Sequence, residues 1–221
     1  MRRTRRTGAG LTTARAGRNN TELVATLLLA VATVATAWSG YQSTRWNGEQ
    51  SKAAARANAL RIDSAKAAGL ANTQTEVDVA SFTQWINAYA QNQTQLTAFY
   101  FKCFRKEFRP AVNAWVATKP LKNPDAPLTP FAMPQYKLDA RAESDKLDAE
   151  AELYAAQARR NVQRASNYIL GVVLFASALF FAGMSTKLTS PRLRVAMLSI
   201  GSAVFLLTAL WIATSPVSVT I

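Results

Sequence analysis

Three long stretches without a charged residue constrain this chain more than any other feature. They run from Leu23 to Thr44, from Ala165 to Thr186 and from Val195 to Ile221. A helix needs about 20 mostly apolar residues to cross the ~30 Å hydrocarbon layer of a bilayer, and each stretch is long enough. We therefore predict three transmembrane helices, at residues 22–44, 165–186 and 195–215.

The basic residues beside these stretches predict their orientation. Arginines are frequent in the N-terminal tail, residues 1–21, and the loop at 187–194 carries Lys187, Arg192 and Arg194. Short basic flanks stay in the cytoplasm. The tail and the loop then share the cytoplasmic side, while residues 45–164 and the C-terminal tail, 216–221, lie outside. This distribution of charge favours membrane topology over nucleic-acid binding.

One alternative concerns the first apolar stretch. The arginine-rich start, the apolar run and the Ala35-Thr36-Ala37 string also resemble a cleavable signal peptide that ends before Trp38, and the twin arginines resemble a twin-arginine export signal. We favour a retained membrane anchor because the run is long for a signal core and helix-forming sequence resumes beyond it.

The segment 45–164 has the periodicity of a helical domain. Alanine-rich stripes occur on both of its flanks, at Ala53, Ala57, Leu60 and Ala67, and at Leu147, Ala151, Tyr154, Ala158 and Ala165. Their heptad-like spacing predicts two long antiparallel helices in coiled-coil-like contact. The predicted fold class is all-α: three transmembrane helices, with a helical extracytoplasmic bundle inserted between the first and the second.

An aromatic segment follows the first flank of this domain and is expected to supply its core. The residues concerned are Val79, Phe82, Ile86 and Tyr89, then Phe101, Phe104, Phe108 and Trp115, all read as helical. Lys102, Arg105, Lys106 and Arg109 alternate with them. We interpret these cations as a solvated helix face rather than as a patch for nucleic acid or anionic lipid.

Five prolines interrupt the helical pattern at residues 119–136. Proline lacks the amide donor, so no helix runs through this segment. We expect a rigid extended connector at the far tip of the bundle.

Catalytic and metal-binding patterns do not stand out. The chain has no histidine and a single cysteine, Cys103, which we expect to be buried as a small apolar side chain. The acidic residues at 143–152 are interspersed with basic ones, which is typical of a solvated face. We therefore predict no catalytic residue, no cofactor and no metal.

Small residues in the apolar stretches indicate close helix packing. The candidates are Thr26, Ala30, Thr33, Ala37 and Gly40 in the first stretch, and Ala178 and Ala182 in the second. Small side chains let helix backbones approach closely in lipid. The spans hold no ionisable residue in their cores, which argues against an ion-coupled transporter.

Three strings carry a resemblance to a known group of proteins: AWSGYQSTRWNGEQ from Ala37, KNPDAP from Lys122 and NYILGVVLFASALFFAG from Asn167. The chain resembles, from about Leu23 onward, a family of uncharacterised actinobacterial three-pass membrane proteins. The resemblance implies a bacterial inner membrane and the three-pass architecture, and it implies no activity.

The sequence thus favours a non-enzymatic membrane protein that acts by assembly, with the lipid bilayer and either a homo-oligomer or another membrane protein as its partners. An oligomeric channel, with Thr26, Thr33 and Thr36 as its polar lining, or a ligand-sensing membrane protein is the alternative. An enzyme is the least favoured class, because no spacing nominates a nucleophile with its base.

Overall fold

The computed structural model describes the backbone of residues 9–218 and the side chains of residues 21–218. The predicted basic tail therefore lies partly outside the described residues, and so does the end of the predicted C-terminal tail. The structure comprises α1 (Ala9–Ala90), α2 (Thr94–Cys103), α3 (Arg109–Ala117), a 3₁₀ turn (Pro130–Ala132), α4 (Asp139–Lys187) and α5 (Pro191–Ala213). No strand occurs among the described residues, so the all-α prediction is confirmed.

Three helices are long and apolar enough to cross a membrane: α1, α4 and α5. The chain divides into two compact units. We call the first the apolar unit; it holds the described residues up to Ala53 and from Ala156 onward. The second, the aromatic unit, is Ala54–Ala155. The predicted boundaries at 44/45 and 164/165 concern a membrane, and they stay predictions.

α1 is very long because nothing in its sequence stops it. The first proline of the chain is Pro110. The helix ends in a Schellman motif: Asn92 adopts φ 57°, its N–H donates to Tyr89 O at 3.2 Å, and the N–H of Gln93 donates to Ala88 O at 3.0 Å. Asparagine tolerates this left-handed conformation better than most residues.

Within the apolar unit, α1 buries a residue every seven positions. This series consists of Ala25, Ala32, Ser39, Trp46 and Ala53, and Gln42 and Ser43 are buried beside it. A seven-residue repeat keeps one stripe of a helix facing its neighbour, as in coiled coils.

Contacts at both ends of the apolar unit show the direction of its helices. Arg194 Nη2 lies 3.4 Å from Glu22 Oε1. At the other end, Gln42 exchanges two hydrogen bonds with the backbone of Ser218. α1 and α5 therefore run in the same direction, and the loop between α4 and α5 lies at the end where Glu22 stands.

α4 runs against both of them, and glycines allow the closest approaches. A Cβ added at Gly171 would lie 2.9 Å from Ile212 Cδ1 and 3.6 Å from Ser39 Oγ. One added at Gly201 would lie 3.2 Å from Ala178 O and 3.3 Å from Ala182 N. The absence of a side chain at Gly201 thus lets α5 touch the backbone of α4.

The core of the aromatic unit is largely the predicted one. Its buried members are Phe82, Trp85, Phe104, Phe108, Ala111, Val112 and Trp115. Val79, by contrast, is 44% exposed. The prediction that the whole segment is helical is wrong at residues 91–93, between α1 and α2, and again at residues 104–108, between α2 and α3. Pro110 accounts for the new start, because proline suits the first turn of a helix and not its interior.

The alanine-rich flanks pair in antiparallel fashion within the aromatic unit. Arg61 Nη2 lies 2.7 Å from Glu152 Oε1, while the hydroxyls of Ser64 and Ser144 lie 3.0 Å apart. Further along α1, Asn72 Oδ1 accepts from Arg141 Nη2 at 2.7 Å. Residue numbers on α4 therefore decrease along these contacts as those on α1 increase, so the two helices are antiparallel here. Small residues such as Ala57 and Ala151 are buried on these flanks.

The proline-rich segment packs against the aromatic core. Pro130 is buried, and the Phe131 ring stacks on Phe108 at 5.2 Å between centroids. Trp115 Nε1 donates to Pro127 O at 2.6 Å. The segment is non-helical apart from its 3₁₀ turn, and it closes one side of the core.

Replacing Gly201 by valine should destabilise the apolar unit by about 1–3 kcal/mol, because the new side chain meets the backbone of α4. Gly183→Val is the matched control, since nothing lies within 4 Å of a Cβ at Gly183. The measurement is thermal unfolding of the full-length protein in mild detergent. Equal melting temperatures for the two variants would contradict the close approach.

Candidate functional site

The predicted helix-packing residues fall into two groups. Ala178 and Ala182 are fully buried, and their backbone atoms face Gly201. In α1 the structure leaves Thr26, Ala30, Thr33 and Ala37 exposed and Gly40 half-buried. The chain therefore packs α1 through the neighbouring stripe that contains Ala25 and Ala32, and the predicted seam remains open to another helix.

The threonine hydroxyls of this first stretch donate hydrogen bonds to backbone carbonyls of the preceding turn. Thr26 Oγ1 donates to Glu22 O at 2.9 Å, Thr33 Oγ1 to Leu29 O at 2.7 Å, and Thr36 Oγ1 to Ala32 O at 2.7 Å. Such bonds to the preceding turn are common for threonine in helices. They leave oxygen lone pairs, and no free donors, on the exposed face.

A polar clamp that no sequence pattern predicts fixes the residues that follow α5. Gln42 is fully buried; its Oε1 accepts from the Ser218 N–H at 3.0 Å and its Nε2 donates to Ser218 O at 3.4 Å. Trp46 Nε1 and the Tyr168 hydroxyl both donate to Pro216 O, at 3.1 and 3.2 Å. The Arg164 guanidinium lies 4.5 Å from the Trp46 ring centroid.

A buried ion pair braces the aromatic unit. Asp78 has no exposed side-chain surface, and Arg105 contacts it in bidentate fashion, Nε to Oδ1 at 3.0 Å and Nη2 to Oδ2 at 2.8 Å. Tyr136 donates its hydroxyl to the same Oδ2 at 3.3 Å. The solvated-face interpretation is therefore wrong for Arg105, whose side chain is 21% exposed. This pair holds the break between α2 and α3 against α1.

Burial and charge in this cluster favour the protonated forms of its partners. The hydrogen bond to Asp78 raises the pKa of the Arg105 guanidinium. Burial raises the pKa of the Tyr136 phenol, and the nearby Asp78 charge acts in the same direction. A tyrosine held neutral as a donor and an arginine held charged make a structural brace rather than an acid–base pair.

The aromatic unit contains a cavity of about 1000 Å³. We call it the lysine–aromatic cavity. Its apolar walls include Trp85, Tyr89 and Phe101, and its charged lining consists of Lys102, Lys119 and Lys122. Among the described residues, no acidic one lines it. The end of α1, the inner face of α2 and the turn after α3 place these side chains together.

Trp85 is the buried tryptophan of this cavity, and its indole N–H has no acceptor among the described residues. The side chain is 3% exposed, and its ring stacks on Tyr89 at 4.8 Å between centroids. The indoles of Trp46 and Trp115, by contrast, both donate to backbone carbonyls. A buried donor without an acceptor costs free energy. Among the described residues, Trp85 shares this condition with Ser39 Oγ and Arg45 Nε.

The backbone beside the cavity is strained at Lys119. This residue has φ 54° and stands just after the end of α3, where glycine is the usual choice. Its N–H donates to Val116 O at 2.9 Å, while Pro120 has no N–H for the second bond of the motif. A left-handed conformation costs a non-glycine residue about 1–2 kcal/mol. The chain thus keeps a lysine where glycine would fit with less strain.

The remaining chemical groups are placed differently from some expectations. Cys103 is exposed, so the expected burial is wrong; it ends α2, a helix without a buried residue. Acidic residues of α4 pair with arginines of α1 at the surface. No group of three or more Cys, Asp or Glu side chains that could hold a metal occurs in the part of the chain that the structure describes.

No protein family, curated protein or solved structure matches this chain.

Asp78→Asn should lower the stability of the aromatic unit by about 3–5 kcal/mol, because it leaves Arg105 without its buried counter-charge. For a chain of this size that loss corresponds to a fall in melting temperature of roughly 6–20 °C. Asp63→Asn is the matched control: Asp63 pairs with Lys66 at the surface of the same helix, and such pairs contribute about 0–1 kcal/mol. Thermal melting of the full-length protein compares the two variants, and similar losses would refute the brace.

Proposed function

We propose that the chain is a non-enzymatic integral membrane protein of the bacterial inner membrane that acts by assembly. In this proposal the N-terminal tail and the loop 187–194 are cytoplasmic. The helical bundle formed by the aromatic unit is inserted between the first two membrane helices and lies outside, as does the C-terminus. The basic loop and Glu22, which follows the basic tail, meet at one end of the apolar unit, and this supports a shared compartment for both basic flanks.

The observation that carries the assembly proposal is the exposed seam of α1. Thr26, Ala30, Thr33 and Ala37 present small side chains that the described part of the chain leaves exposed. In lipid, helix association relies on close packing rather than on the hydrophobic effect, so an open small-residue face favours contact with a further helix. The partner is a second copy of this chain or another membrane protein.

A ligand-sensing role is the second candidate, and the lysine–aromatic cavity favours it. Ligand sites are mostly apolar concavities of about 300–1000 Å³ with a few polar groups. This cavity has that size and that composition.

The single, exposed cysteine allows a direct test of the topology. A membrane-impermeant maleimide should label Cys103 in intact spheroplasts. The matched control is Ser190→Cys in a Cys103→Ser background, which should react only after the membrane is permeabilised. Two results would overturn the proposed orientation: labelling of Cys103 only after permeabilisation, or labelling of the Ser190→Cys control in intact spheroplasts.

The seam is tested by adding bulk to it. Ala30→Leu combined with Ala37→Leu should shift the protein toward smaller species, because the larger side chains keep a second helix away. Val31→Phe adds bulk at an exposed position of the same stretch, on a face away from the seam, and should leave assembly unchanged. Mass photometry in mild detergent measures the species, with identification of co-purifying proteins. A wild-type monomer without a co-purifying protein would count against assembly.

A further inference from the structure

We propose that the lysine–aromatic cavity binds an organic anion that carries an apolar body, such as an aromatic ring system or an acyl chain. The inference rests on the ligand-sensing candidate and names its ligand class. It uses the chemistry of the lining, which consists of aromatic walls and three cations.

The charges of the cavity select the sign of the ligand. Lys102, Lys119 and Lys122 line it, and none of the three has an ion-pair partner among the described residues. Other lysines in this protein do have one: Lys52, Lys66 and Lys146 each lie within 3.5 Å of a carboxylate three residues earlier. Three cations that share one concave surface without an acidic neighbour attract an anion.

The aromatic walls and the volume of the cavity favour a ligand that has a large apolar body beside its anionic group. Tyr89, which stacks on the buried Trp85, and Phe101 offer apolar aromatic surface. A cavity of about 1000 Å³ is far larger than an inorganic anion needs. An apolar body fills that space and stacks on the rings, while a carboxylate, sulfonate or phosphate meets the lysines.

One feature of the site costs stability and therefore points to binding. Lys119 occupies a left-handed position that suits glycine, and it lines the cavity.

The experiment titrates the full-length protein in zwitterionic phosphatidylcholine nanodiscs and measures heat by calorimetry. 1-Naphthalenesulfonate is the soluble probe, and nanodiscs that contain phosphatidylglycerol provide the lipid arm. We expect saturable binding of the naphthalenesulfonate. If phosphatidylglycerol in the disc abolishes that binding by competition, the membrane is the source of the anion; if it does not, the ligand is a soluble one. Inorganic phosphate should give no saturable heat.

Variants connect the binding to the cavity. Replacing all three lysines by glutamine should weaken naphthalenesulfonate binding about tenfold or more. Lys146→Gln is the matched control, because it removes a surface lysine that pairs with Glu143, and its affinity should equal that of the wild type.

Lys119→Gly separates binding from folding. The variant should bind about threefold more weakly and yet melt at the same or a higher temperature, since glycine relieves the left-handed strain. A purely structural lysine would not lower affinity while stability is kept.

The proposal is overturned if the wild type shows no saturable heat, if the triple variant binds as the wild type does, or if phosphate binds as tightly as naphthalenesulfonate. Any of these results leaves the maleimide labelling and the mass photometry unaffected, so failure of the ligand proposal is distinguishable from failure of the membrane and assembly proposals.

Discussion

The need to satisfy every backbone hydrogen bond away from water governs the apolar unit. An apolar helix meets that need within its own length, which leaves its side chains free to pack. The packing then depends on how closely the helices approach, and Gly171 and Gly201 stand where α5 touches its neighbours. Polar contacts are reserved for the ends, where Glu22 meets Arg194 and Gln42 meets Ser218. The apolar stretches thus determine where the helices form, and the small residues determine how closely those helices pack.

Much of this architecture follows from local pattern, and its long-range detail does not. Charge-free stretches identify three helices that can span a bilayer, and alanine stripes identify the flanks that pair. The brace between Asp78 and Arg105 joins residues on different elements, and the clamp on Ser218 joins residues far apart in the chain. The spacing of residues along the sequence does not predict such long-range pairs. Pro110 is the exception, because proline disfavours the interior of a helix and so indicates from the sequence alone that a new helix begins near it.

The same limits apply to the candidate site. The aromatic residues of the core are recognisable by their helical spacing, but nothing in that spacing distinguishes Trp85 from the others. The lysines of the cavity come from α2 and from the turn after α3, so only the fold brings them together. Small residues in α1 indicate close packing; which of two adjacent stripes faces the chain itself depends on the rotation of the helix. In the structure, Ala25 and Ala32 form that inner stripe.

The clamp at Gln42 has a consequence for how the protein is made. Its two partners on Ser218 are synthesised long after Gln42 itself has left the ribosome, since translation proceeds at about 5–20 residues per second. Until then the side-chain amide has no partner on Ser218. The hydrogen bonds at this end of the apolar unit can therefore form only after residues 216–218 have been synthesised.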